Sequence, residues 1–206
     1  MRKLLTGTLM AGVLVALPLA AGAQQLFDFT GQALISNYVG GSAGMFGEVF
    51  DPAPATTPIP LDFAHNQYTV VVLATIAGIS PFSRSFSGGT ITIYEDAGTA
   101  ADYTNPATFS DGTAILLGNL KNFSQFLPPA GPGSVSGLVD WTGGSRLDDI
   151  APGDQSDWAF LSGSSPDSGL LEPGYDEVWD GKVEPQEPIV ADEASAFGSV
   201  KALFRN

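Results

Sequence analysis

The sequence predicts an all-β chain: a single antiparallel β-sandwich, jelly-roll-like, after a cleaved N-terminal signal peptide. Three observations predict it. Apolar residues arrive in short β-branched and aromatic runs, several alternating with polar ones, the period of a strand lying on a core. Turn formers, among them 25 Gly and 15 Pro, separate these runs, as they do in sandwiches and barrels. No convincing crossover helix stands between them, which disfavours a parallel α/β sheet.

The elements follow in order. Arg2 and Lys3 precede an apolar run, Leu4 to Leu19, and Ala21-Gly22-Ala23 is a small-x-small cleavage signal before Gln24. This is the layout of a secretory leader. Gly7, Gly12 and Pro18 break the run, which falls short of the ~20 residues a membrane span needs. Residues 1–23 are therefore expected to be removed, leaving 24–206 as one exported domain, periplasmic or extracellular, with no transmembrane segment. Leu26 to Ile35 and Met45 to Phe50 are the first strand candidates. Pro52 to Pro60 has four prolines in nine residues and cannot cross the middle of a sheet, so it reads as an extended connector or an edge.

Tyr68 to Ala77 is the clearest strand. Tyr68, Val70, Val72, Ala74 and Ile76 share one face, while Val71, Leu73 and Ala77 share the other; two apolar faces predict a strand covered on both sides. In Gly89 to Tyr94, Ile91 and Ile93 point inward and Thr90, Thr92 and Tyr94 outward. Ala114 to Leu120, Ser134 to Trp141 and Asp157 to Ser162 are further strands. Ala194 to Phe204 fits a helix or a strand; Gly198 weakens the helix and a final strand is expected.

Cysteine is absent, so the fold must be held by its core, which a chain of this length can supply. Cleavage after Ala23 removes two of the eight basic residues and moves the formal net charge from −14 to −16. Such a surface repels nucleic acid, whose binding rests on Lys and Arg meeting phosphates. It leaves metal ions and neutral or cationic partners open.

The inventory of reactive groups is narrow. His65 is the single histidine, which excludes a His-rich zinc site. A Ser-His-Asp triad would have to use it, and no G-x-S-x-G elbow presents a serine. The Gly-Gly pairs at 40–41, 88–89 and 143–144 lack the Lys and helix start of a phosphate loop. No catalytic residue and no cofactor site is assigned, and His65 is expected at a turn or strand edge.

Carboxylates remain. Glu95, Asp96, Asp102 and Asp111, with Asn105 among them, crowd one loop and form a candidate calcium set, since calcium takes 6–8 oxygen ligands. The D-x-D-x-D-G spacing is missing, and Asp111-Gly112 is equally a turn feeding the next strand. From Asp140 to Glu193, 14 acids face only Arg146 and Lys182. Asp148, Asp149, Asp154 and Asp157 form one cluster, and Glu172, Asp176, Glu177 and Asp180 form another.

A Trp recurs beside an acid in Asp140-Trp141, Asp157-Trp158 and Trp179-Asp180. Trp141, Trp158, Tyr175 and Trp179 are the candidate glycan-binding set, because indole and phenol rings stack on sugars; in alternating runs the same rings serve as core. The composition is that of many bacterial exported proteins with surface or matrix roles. The expected function is a non-catalytic surface, adhesion or extracellular-matrix protein. The alternatives are a glycan- or calcium-binding module and a carboxylate-based glycoside hydrolase, which needs two facing acids.

Overall fold

A computed structural model describes residues 27–50 and 59–185. Eight strands follow one another around a closed antiparallel barrel: β1 (Phe27–Ile35), β2 (Ser42–Phe50), β3 (Gln67–Ser80), β4 (Ser83–Asp96), β5 (Thr113–Phe126), β6 (Gly133–Gly143), β7 (Trp158–Ser165) and β8 (Glu177–Glu184). β8 returns to β1, with Phe29 opposite Gly181 and Gly31 opposite Trp179. Short 3-10 turns occur in the loops, and there is no α-helix among the described residues.

The all-β antiparallel expectation holds, and the sandwich is corrected to a barrel. A strand in either architecture turns one face to the core and one outward, so alternation cannot tell them apart. The difference lies in what the first and last strands pair with. Closure gives β1 and β8 to each other and leaves no open edge. The seven strands read from sequence within the described residues all exist, several longer than expected; β8 was not among them. The leader (1–23) and the final segment (194–204) lie outside the described residues, as does most of the proline segment.

The inward residues fill the barrel, as side chains do in eight-stranded barrels of this width. Phe86 meets Phe123 with ring centroids 4.7 Å apart, Phe123 meets Phe160 at 5.8 Å, and Phe160 stacks on Phe29 at 5.2 Å. Trp179 stands edge-on to Phe123. Around this aromatic column pack Met45, Val70, Val72, Ile91, Ile93 and Val139, all buried. Each such side chain contributes about 1.5–3 kcal/mol through burial. One close approach demands glycine: Gly31 and Gly47 face each other across β1 and β2. A Cβ on Gly31 would stand 2.7 Å from the Phe46 carbonyl oxygen and 2.9 Å from the Gly47 Cα.

The two ends differ. The lower end carries residues 59–66, 97–112 and 144–157. Ile59 and Ile150 are buried in the interior cluster there, with Leu61 and Leu147 packed against it. The upper end carries residues 36–41, 81–82, 127–132 and 166–176, and is closed by polar side chains.

Candidate functional site

Strand alternation explains the recurring Trp-acid pairs. In each, the indole enters the barrel and the carboxylate stays on the wall, because neighbours on a strand point oppositely. Trp141, Trp158 and Trp179 are all buried, and Trp141 and Trp158 stand edge-to-face with centroids 6.2 Å apart. The Trp158 Nε1–H donates to the Asp154 carbonyl oxygen. Outside, Asp140 and Asp157 both meet Lys121 Nζ at 2.8 Å. The Asp157 amide, held at a φ of 61°, donates to Asp140 Oδ1. Lys121 holds the Asp140 carboxyl below its ordinary range, chiefly through their hydrogen bond. The indoles of the candidate glycan set are thus core residues and present no exposed stacking face.

Tyr175, the fourth member, belongs to a second cluster on the outer wall. The acidic loop leaves β4 and folds back over β2 and β3, where Phe109 is buried beside Phe46 and Tyr103. Thr69 on β3 donates its hydroxyl to the Phe109 carbonyl at 2.7 Å. Tyr175 meets Tyr103 edge-on and donates its hydroxyl to the Tyr103 carbonyl. Burial pushes the phenol of Tyr103 well above its ordinary value, and raises that of Tyr175. The acidic loop is therefore a packed flap, and it meets β3 at its lower end, where the Ala101 amide donates to Gln67 Oε1 and Thr69 bonds Phe109. Leu73, further along β3, is exposed.

The four carboxylates of the candidate calcium set are engaged separately or open to water. Glu95 accepts the Tyr68 hydroxyl proton at 2.7 Å. Asp96 accepts the amides of Gly98 and Thr99, and Asp102 accepts the amide and hydroxyl of Thr104. Asp111 is exposed in the bend before β5. Among the described residues no three of His, Asp and Glu gather where one ion would hold them. His65 is exposed at the lower end, its Nδ1 2.7 Å from Asp62 Oδ2.

The upper mouth holds the one carboxylate buried among the described residues, Glu177. Arg84 Nη1 donates to its Oε1 at 2.8 Å, while Gln125 Nε2 at 2.5 Å and Trp179 Nε1 at 3.0 Å donate to its Oε2. Arg84 Nη1 also donates to the side-chain Oε1 of Gln125, and Gln125 Nε2 donates to the Ser164 hydroxyl. Four strands are tied by this network. Full satisfaction is what permits a buried charge.

Around that mouth runs an arc of apolar tips. Tyr38 and Val39 are about 60% exposed, and Ile79, Phe82 and Phe126 are 45–55% exposed. Backbone bonds make the arc continuous: the Gly40 amide donates to the Ile76 carbonyl, and the Leu127 amide to the Phe82 carbonyl. On the wall between β6 and β1 lies a separate open groove of about 500 Å³, bordered by Phe50 and Leu161 with Asp28, Asp180 and Lys182. Neither the network nor the arc stood out in the sequence. Arg84, Gln125 and Glu177 sit far apart along the chain, and Phe82 and Phe126 adjoin turn formers. Charge counted by segment would have shown the arc, since residues 34–44 and 122–136 carry no charged side chain.

Comparisons with family models, with curated proteins and with solved structures gave no match to this chain.

Proposed function

We propose that the chain is an exported, non-catalytic β-barrel that works through its outer surface, in adhesion or in a surface or matrix layer. One observation carries this reading: the barrel axis is filled from end to end. Aromatic and aliphatic side chains occupy the middle, loops carrying Ile59 and Ile150 close the lower end, and the Glu177 network closes the upper one. Binding is then left to the outside, where the upper arc exposes more large apolar side chains than a solvated rim needs. The leader-like N-terminus supports export.

Fractionation of expressing bacteria, with mass spectrometry of the released chain, tests the proposal. Recovery in the surface or extracellular fraction with an N-terminus near Gln24 is expected. An intact leader on material retained in the cytoplasm would overturn it. A second reading, a glycan-binding module, draws on the wall groove, whose Phe50, Leu161 and flanking charges offer both a flat apolar surface and hydrogen-bonding groups. Lys182→Ala with Leu161→Ser should abolish any glycan retention that the groove provides.

A further inference from the structure

From the upper arc we infer that this end of the barrel seats on a zwitterionic lipid surface, with Phe82, Phe126 and Tyr38 entering the headgroup layer. The inference rests on the surface role proposed above and names what the surface is. Three features of the arc point to lipid. Its tips are aromatic and aliphatic side chains held on short turns: Pro81-Phe82 joins β3 to β4, and Phe126 closes β5 beside Pro128 and Pro129. A two-residue turn between fourteen-residue strands gives a rigid support, so little conformational freedom is lost on seating.

Charge is the second feature, and it selects the lipid. Over residues 34–44, 73–86 and 122–136 the one charged side chain is Arg84, and Arg84 is turned onto Glu177 and Gln125 inside the mouth. The acids of that end, Asp167, Glu172 and Asp176, stand on the 166–176 loop, which is hydrogen-bonded to β1 through Gln32 and lies outside the three segments of the arc. The others lie further off, Asp102 and Asp111 on the flap, and Asp148, Asp149 and Asp154 at the lower end. A chain with a formal net charge of −14 is repelled by an anionic leaflet, whose attraction is for basic segments. An apolar arc with no exposed charge of its own, on an acidic body, is complementary to a neutral headgroup layer. Tyr and apolar rings at the boundary between water and acyl chains are the usual interfacial anchors.

The third feature is the orientation of the strands. The buried apolar side chains fill the interior, and the outer wall, where Leu73, Leu117 and Leu161 are exposed, also carries Asp28, Lys121, Asp140, Asp180 and Lys182, unlike a bilayer-spanning barrel, whose outer band is apolar. Such a barrel meets a bilayer with an end and does not pass through it.

Flotation of the full chain with phosphatidylcholine vesicles tests the inference. The wild-type chain is expected to float with them, and less with vesicles containing phosphatidylserine. Phe82→Ser together with Phe126→Ser should lower partitioning about tenfold or more, since each half-exposed ring would gain burial on seating that Ser cannot supply. Leu117→Ser, at an exposed site on the lower half of β5, should leave partitioning unchanged. All variants share residues 1–26, so the leader cannot account for a difference, and circular dichroism checks that each folds. Failure of the wild-type chain to float, or equal flotation of the double variant, would overturn the inference. So would a concentration-dependent dimer that the double variant abolishes, which would make the arc a contact between copies. A chain found exported in the fractionation experiment but unable to float defeats this inference alone; a chain retained in the cytoplasm defeats the functional reading itself.

Discussion

Glu177 shows how one residue can be misread when only its neighbours in sequence are visible. It sits among Glu172, Asp176 and Asp180 and so reads as one more solvated acid. Its position on β8 turns it inward, where three donors meet it. Removing one partner of a buried pair leaves a charge without compensation, at a cost of about 3–5 kcal/mol. Arg84→Met is therefore expected to lower the urea-unfolding free energy by roughly 3 kcal/mol, at the low end because Arg84 retains some contact with water. Arg84→Met with Glu177→Leu should be less destabilised than the sum of the two single variants. Strict additivity would show that the pair does not couple.

The Lys121 cluster makes a second prediction at this scale. The Asp140 carboxyl is depressed in the folded protein by Lys121, so its contribution to stability is present above the ordinary aspartate value near 3.9. It is lost as pH falls through the depressed folded value. Lys121→Met should flatten the acid limb of a plot of denaturation midpoint against pH. An unchanged limb would contradict the assignment.

Among the elements, the flap from residue 97 to residue 112 departs furthest from its sequence signal. Two acids, Asp102 and Asp111, and several turn formers describe a solvated loop; a single buried ring, Phe109, makes it a packed element. Phe109→Ala should cost about 3 kcal/mol and open the flap to protease while the barrel interior stays closed. The buried phenols of Tyr103 and Tyr175 give an independent readout. Their raised values mean that flap stability is full below the ordinary tyrosine value near 10 and falls as pH rises through the folded values. Absorbance at 295 nm should show phenols titrating late in the wild-type chain and earlier in Phe109→Ala. Because Asp96 and Asp102 are occupied with amides in their own turns, the melting midpoint should be the same in millimolar calcium and in chelator. Calcium at 100 times its dissociation constant would instead add about 2.7 kcal/mol.

The same elements show what the sequence can carry. Ile91 and Ile93 inward with Thr90, Thr92 and Tyr94 outward was readable because alternation is local, and so was the inward set from Tyr68 to Ile76. β8 was not readable: Glu177 and Gly181 break the apolar face that Trp179 and Val183 continue. The buried tryptophans were identifiable only as either core or ligand platform, since the choice depends on which neighbours cover them.

At the scale of the whole molecule, closure decides the architecture and polarity decides the surface. Eight strands with small residues at the tightest crossings curl until β1 meets β8. The interior is then filled, and what remains for partners is the wall and the two ends. That pairing was beyond sequence reading because its partners stand about 150 residues apart, and no local period reports who closes on whom. The apolar arc on the upper rim follows from the same closure, which gathers the distant turns at Tyr38, Phe82 and Phe126 onto one side of the mouth.

The most direct measurement is of the seam itself. Nuclear Overhauser contacts between the backbones of β1 and β8, across Gly31 and Trp179 and across Phe29 and Gly181, are expected, with slowly exchanging amides along both strands. Freely exchanging amides on β1 and no contact to β8 would contradict a closed barrel.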